Sequence, residues 1–294
     1  MKKPVVKCPW CQGTKTQRRG DFPKTRYQCQ SKDCMKWFYL ENTKFPIITV
    51  LDIETLPIHA RTWKVGKTVL SPDNVIKDWC VLSYAYKRLF SPEIKGDVLT
   101  PKEVETRNDK RLMEGLWKVL DESNIVIAHN GLAFDIPKIN TRLIKHGLPP
   151  PSRYHQIDTL IAAQKSFKFT SNKLDFIGNY LGVGRKIKTE YQLWIRCDEG
   201  EKSALQEMLT YNLQDVGLLE DVYVLLRPWT PTHPNMSLYV HDEGGDDVCK
   251  VCLSDNIDWV GEYFTNASVY MSYTCNNCGA HGRRSKRKRT NNNR

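Results

Sequence analysis

The stretch Thr49-Val50-Leu51-Asp52-Ile53-Glu54-Thr55 limits the folds open to this chain more than any other feature. An apolar run from Ile47 to Leu51 reads as a β-strand and delivers two carboxylates separated by one apolar residue. Side chains alternate across a strand, so Asp52 and Glu54 emerge on one face while Ile53 points the other way, into a core. Two carboxylates this close repel, and keeping both ionised is costly unless a cation sits between them. A divalent metal is the simplest such cation. A strand end whose acids only face water is the alternative that this stretch alone leaves open.

Two later segments bear on that choice. Asn130-Gly131-Leu132-Ala133-Phe134-Asp135 follows a second apolar run, Ile125 to Ala128, and Tyr211-Asn212-Leu213-Gln214-Asp215 lies inside a long helical pattern. Tyr211 and Asp215 stand four residues apart, one turn of helix, and so share a face. The ordered set of Asp-x-Glu, then Asn with Phe-Asp, then Tyr-x3-Asp resembles the DEDD exonucleases, in the tyrosine-type branch that includes proofreading domains of DNA polymerases. The histidine-type branch would carry His one residue before the tyrosine's position, where Thr210 stands. The resemblance runs from Ile47 to Pro228.

The resemblance implies an α/β, ribonuclease-H-like fold: a mixed sheet with helices on both faces. It implies hydrolysis of DNA from the 3′ end, assisted by two Mg²⁺ or Mn²⁺ ions. Asp52 would bridge the ions, Glu54 and Asp215 would hold the water-activating one, Asp135 the second, and Tyr211 would orient the attacking water. Asn130 would help shape the substrate cleft, although a turn residue ahead of Gly131 explains it equally well.

Outside that stretch the cysteines are informative. Cys8-Pro9-Trp10-Cys11 with Cys29-to-Cys34, and Cys249-Lys250-Val251-Cys252 with Cys275-Asn276-Asn277-Cys278, are paired thiols at zinc-ligand spacing. Each set predicts a zinc ribbon, with one structural Zn²⁺ supplying folding energy to a segment too small for its own core. The N-terminal ribbon resembles those of transposases and other DNA-binding proteins, and a disulfide framework is its competing reading. Cys80 reads as a buried core thiol, and Cys197 as structural.

The 294 residues carry a net charge of +11, unevenly spread. Residues 1–46 hold eleven Lys/Arg against Asp21, Asp33 and Glu41, and residues 279–294 hold seven Lys/Arg and no acid. The middle is therefore acidic, which suits a metal enzyme flanked by basic ends that meet a polyanion. Residues 283–294 have no apolar content and predict a disordered tail until phosphates are met, or a nuclear import signal. No apolar window is long enough to span a membrane, and Met1-Lys2-Lys3-Pro4 opens no signal-peptide core, so an intracellular protein is expected.

Between the motifs, periodicity predicts strands over 78–88, 94–99 and 154–157, and helices over 109–121, 134–147, 173–181 and 201–227. Asp158 reads as a helix N-cap and His129 as structural. Lys165, Lys168, Lys173, Arg185, Lys186 and Lys188 form a basic stretch suited to holding a substrate backbone. The expected domains are a ribbon at 1–45, a catalytic domain at 46–230, a second ribbon at 240–282 and the tail. An RNA-trimming nuclease and a catalytically silent nucleic-acid adaptor are the rival functions, and replication or recombination proteins the expected protein partners. A transposase would need its acids at other spacings.

Overall fold

The computed structural model describes residues 11, 13–19, 26–32, 34, 37–39, 46–64, 66, 69–187, 189–239 and 247–290. Its contacts divide the chain into two units, one formed by 48–88 and 93–223, the other gathering 1–47, 89–92 and 224–294. No helix among the described residues is long and apolar enough to cross a membrane.

The chain begins with three short antiparallel strands, β1 (Thr16–Arg19), β2 (Arg26–Cys29) and β3 (Trp37–Tyr39). The central strand β4 (Ile48–Leu56) then carries Asp52 and Glu54 within it rather than beyond its end. A small antiparallel pair follows, β5 (His59–Ala60) with β6 (Val75–Lys77). Strands β7 (Cys80–Arg88) and β8 (Ile94–Val98) follow, both antiparallel to their neighbours. Helices α1 (Pro101–Thr106) and α2 (Lys110–Asp121) lead to β9 (Ile125–Ala128), which lies parallel to β4. Helix α3 (Asp135–Lys145) returns the chain to β10 (His155–Asp158), parallel to β9. The resulting sheet has the order β10-β9-β4-β7-β8.

Helices α4 (Thr159–Ser166), α5 (Leu174–Tyr180), α6 (Tyr191–Asp198) and the unbroken α7 (Lys202–Leu226) complete the unit. Both faces of the sheet are covered. On one, α7 lies so close to β8 that a Cβ at Gly96 would stand 3.1 Å from Leu209 and 3.2 Å from Leu213. On the other, Tyr84 reaches Gly115 of α2. Leu51, Ile53 and Tyr84 join Leu112, Leu116, Ile139 and Leu143 in the main core, as the alternation along β4 requires.

A buried ion pair ties these layers together. Asp109 accepts Arg142 Nε at 2.7 Å, Arg142 Nη2 at 2.6 Å, His146 Nε2 at 2.6 Å and the Val81 backbone N–H at 2.8 Å. It thereby links the start of α2, the end of α3 and β7.

After α7 come β11 (Ile257–Phe264), β12 (Ser268–Cys275), β13 (His281–Arg283) and β14 (Arg289–Thr290). The basic end departs from the expectation of a disordered tail. Arg283 pairs with Ser272, Lys288 donates its backbone N–H to Val269 O, and Arg289–Thr290 pairs with Val269–Ser268. Backbone hydrogen bonds on an open strand edge need no apolar side chains, so charge alone does not keep this segment off the sheet. Residues 291–294 lie outside the described residues.

Candidate metal centre

The acids reach one place by different local rules. Asp52 and Glu54 project from the same face of β4 because strand side chains alternate. Beside Glu54 the pairing with β7 slips by one residue, Glu54 opposing Ser83 and Thr55 opposing Val81. Such bulges twist a strand and re-aim its side chains. Tyr211 and Asp215 come from one face of α7, which crosses this side of the sheet. Asp135 opens α3, where its Oδ1 accepts the Ile53 backbone N–H at 3.1 Å.

Asp52, Glu54 and Asp215 each offer an oxygen within 4.8 Å of the others. Asp135 stands beside them: burial first, and then the charge of Asp135, push the Asp52 carboxyl well above the usual range. Burial likewise raises Glu54 to about 8 and Asp135 to about 7. Asp215, fully buried, is raised for the same reason. Asp52 and Glu54 are half-buried, so the group opens to solvent on their side.

One cation already faces these acids. Lys186 Nζ donates to Asp215 Oδ2 at 2.5 Å and to Tyr211 Oη at 3.3 Å. Burial opposes its charge, but Asp215 and Asp52 outweigh burial and hold its pKa up. Tyr211 is 7 % exposed, and burial keeps its phenol protonated. The Lys186 backbone N–H is fixed by Asp175 Oδ1 at 2.8 Å, and Gln214 Nε2 donates to Arg185 O at 3.3 Å.

The carboxylates fit a divalent cation. Hard oxygen donors converge, burial makes each costly to ionise without a cation, and Asp215 Oδ1 is buried with no hydrogen-bond partner among the described residues. Asp52, Glu54 and Asp215 are the residues that could hold a metal ion, with Asp135 beside them.

Asn130 sits in the turn between β9 and α3 with φ of 67°, a left-handed conformation that Asn tolerates better than most residues. Its backbone N–H is accepted by Asp158 Oδ1 at 3.0 Å, and the Leu132 N–H by Asp158 Oδ2 at 3.1 Å. Asp158 also caps α4, as expected, and so braces this turn. His129 is held by Thr159 Oγ1 and Asn172 O, a structural placement.

Asn212 is the residue that sequence reasoning passed over. It is fully buried, accepts the Ser83 hydroxyl at 3.0 Å and donates Nδ2 to Asp52 Oδ2 at 2.7 Å. It thereby fixes the orientation of the Asp52 carboxylate. The available signal was an amide on the inward side of an otherwise apolar helix face. The basic stretch contributes Lys186, Arg185 bonds Asn179 Oδ1 at 2.6 Å, and Lys188 lies outside the described residues.

The thiols also gather. Cys249, Cys252, Cys275 and Cys278 have sulfurs within 4.8 Å of one another, with Cys249–Cys278 at 3.7 Å and Cys252–Cys275 at 3.6 Å. Four thiolates at the usual Zn–S distance form a tetrahedron of edge about 3.8 Å, whereas a disulfide would be about 2 Å long. Cys11, Cys29 and Cys34 cluster likewise, and the described cysteines are free thiols. Cys8 lies outside the described residues. Both sets could hold Zn²⁺. Stripping zinc with a chelator is expected to melt the β11–β14 sheet while most of the α-helical signal survives. Circular dichroism checks this, and a sheet still protected from amide exchange after zinc removal would contradict it.

A family model described as the RNase_H superfamily matches residues 93–227, a span that contains Asp135, Tyr211 and Asp215 but begins after Asp52 and Glu54. Among solved structures, the chain is similar to the family B DNA polymerase from the hyperthermophilic archaeon Pyrobaculum calidifontis. The identity is 16 % and the TM-score 0.44, over 67 % of this chain and 27 % of that one. This chain therefore spans about a quarter of the polymerase's length. No curated protein matches the sequence. Residues 48–88 and 93–223 form a mixed α/β, ribonuclease-H-like domain.

Proposed function

We propose that this chain is a metal-dependent 3′–5′ exonuclease that hydrolyses DNA phosphodiester bonds. One observation carries the reading: Asp215, remote in sequence from Asp52 and Glu54, brings an oxygen within 4.8 Å of theirs, with Asp135 beside them. A purely structural cluster would bury paired charges, whereas this group has more carboxylates than cations and opens to solvent. When bound there, divalent ions would supply Lewis-acid activation of water and stabilisation of the departing oxygen.

The chain's own residues do the remaining work. Asn212 holds Asp52 in one orientation, and the Ile53 N–H does the same for Asp135. Tyr211 keeps its proton and stands one helical turn from Asp215, where its hydroxyl can hold a water molecule in line with a phosphate. Lys186 lends positive charge to the same corner, facing an anionic substrate. Asn130, at the turn before Asp135, is proposed to border the substrate cleft. The test is side-by-side digestion of end-labelled DNA and RNA with Mg²⁺ or Mn²⁺. Faster loss of DNA supports the reading, faster loss of RNA makes the enzyme an RNA trimmer, and no release with either ion leaves only a nucleic-acid adaptor.

The raised carboxyls have a consequence for stability. Without a divalent ion, Glu54 keeps its proton up to about pH 8 in the folded state, against 4.5 for an ordinary glutamate. The folded protein thus binds protons that the unfolded chain has released, and stability falls as pH rises from about 5 to about 8. Mg²⁺ replaces those protons, so it is expected to raise Tm more at about pH 8.5 than at about pH 6. Equal increments in a thermal scan at the two values would contradict this electrostatic account.

A further inference from the structure

A cavity of about 570 Å³ lies in the unit that holds the C-terminal ribbon, between the turn after α7 and strands β12 and β13. Its walls include Trp229, Lys250, Tyr270, His281, Arg283 and Arg284, and no carboxylate is among its described lining residues. Tyr273 is the floor. It is 1 % exposed, its hydroxyl accepts the Lys250 backbone N–H at 2.8 Å, and a Cβ at Gly282 would stand 2.3 Å from its ring. Only glycine leaves room for the ring there, so the floor is fixed by covalent geometry as well as by a hydrogen bond.

Cations and rings alternate among the other lining and neighbouring residues. The Arg283 guanidinium lies 3.7 Å from the Tyr270 ring centre and 5.5 Å from that of Tyr263. Pairing of Tyr263 with Tyr270, and of Arg283 with Ser272, puts all three on one face of the sheet. Arg284 lies over Trp259 at 4.6 Å and pairs through Nη2 with the exposed Asp247 at 3.0 Å. Its Nε is buried and has no hydrogen-bond partner among the described residues. Trp229, on the rim, is 64 % exposed.

We propose that this cavity holds one nucleotide of a single-stranded nucleic acid, its base stacked against Trp229 and the Tyr270–Arg283 pair and its phosphate facing Lys250 and Arg284. Cationic walls without carboxylates select an anion, and ring and guanidinium planes select a flat one. The volume suits a single small ligand, since such sites commonly measure ~300–1,000 Å³, and a duplex is too wide to enter. An acidic peptide would satisfy the charges but brings no flat group to stack. The inference deepens the exonuclease reading and rests on it for the class of substrate, giving the unpaired strand a holding point on the ribbon.

The test uses the zinc-loaded full-length chain carrying Asp52→Asn, so that the strand is not consumed, and a fluorescein-labelled oligothymidylate of about 20 nucleotides. Trp229→Ala with Tyr270→Ala is expected to weaken binding at least ~10-fold with little change in salt dependence, because stacking and not charge is lost. Lys250→Gln is expected to lower the salt slope by about one, as for a single phosphate contact. Arg287→Gln, an equal loss of charge at an exposed position outside the cavity, is expected to cost less than ~3-fold. Zinc content and the single Trp229→Ala variant, which leaves the ribbon strands untouched, guard against a folding defect. The proposal is overturned if the aromatic variants bind like their parent or lose no more than Arg287→Gln. It is equally overturned if polyglutamate of matching charge competes as well as the oligothymidylate. Binding that depends on Trp229 and Tyr270 in a protein that trims nothing would sink the exonuclease reading alone. Trimming by the Asp52-intact protein with aromatic-independent binding would sink this inference alone.

Discussion

Replacing Asp52 by Asn is expected to lower nucleotide release by at least ~10³-fold while leaving the protein folded, since a metal clamp supplies several kcal/mol of transition-state stabilisation. The substitution keeps shape and an acceptor oxygen for Asn212 Nδ2, which lies 2.7 Å from Asp52 Oδ2. What it removes is a carboxyl that is costly to ionise in a crowded group, because burial and then the charge of Asp135 push it far up. Stability without divalent ion should therefore hold or rise, and activity should fall. That opposite movement separates a working ligand from a structural acid, because loss of a structural acid lowers both. The measurement pairs release from an end-labelled strand with a thermal scan. Unchanged Mg²⁺-dependent trimming would reject the assignment.

Arg142→Met is expected to destabilise the catalytic unit by about 3–5 kcal/mol, the cost of removing one partner from a buried ion pair. Asp109 is fully buried and Arg142 is 1 % exposed. Arg142 donates twice to Asp109, at 2.7 and 2.6 Å, and also to Trp79 O at 3.2 Å and Arg107 O at 3.3 Å. Methionine fills similar volume but leaves the Asp109 charge, among the described residues, with His146 and one backbone N–H. Adding Asp109→Asn should recover part of the loss, because the stranded charge is then gone. Urea unfolding followed by far-ultraviolet circular dichroism measures both, and a loss below about 1 kcal/mol for Arg142→Met would contradict the account. The site should suffer with the fold, since this pair anchors the helix that opens with Asp135.

The parts of the site legible in the sequence are those that obey short-range rules. Alternation along β4 puts Asp52 and Glu54 on one face, and a four-residue step on α7 does the same for Tyr211 and Asp215. The parts that were not legible depend on partners far away in the chain. Asn212 gains its role from Ser83 and Asp52, and nothing in its neighbourhood announces either. Asp109, Arg142 and His146 read as ordinary helix residues until α2 and α3 pack together. Lys186 looked like one of several basic loop residues, and only the fold brings it to Asp215. Helix α1 is a different case. Its capping box, in which Thr100 and Glu103 exchange side-chain and backbone hydrogen bonds, is a local signal that the weak apolar pattern of the segment hid. The basic end was misread because composition reports side chains, whereas β14 is held by its backbone.

The central claim is that four carboxylates from three separate stretches of the chain form one metal-assisted centre that shortens strands from their 3′ ends. Digestion of single-stranded DNA labelled at its 5′ end, with and without Mg²⁺ or Mn²⁺, tests it most directly. The account expects the label to remain on a ladder of progressively shorter strands, formed only when the divalent ion is present. Release of the label as a mononucleotide, or an intact strand under every divalent ion, would contradict it.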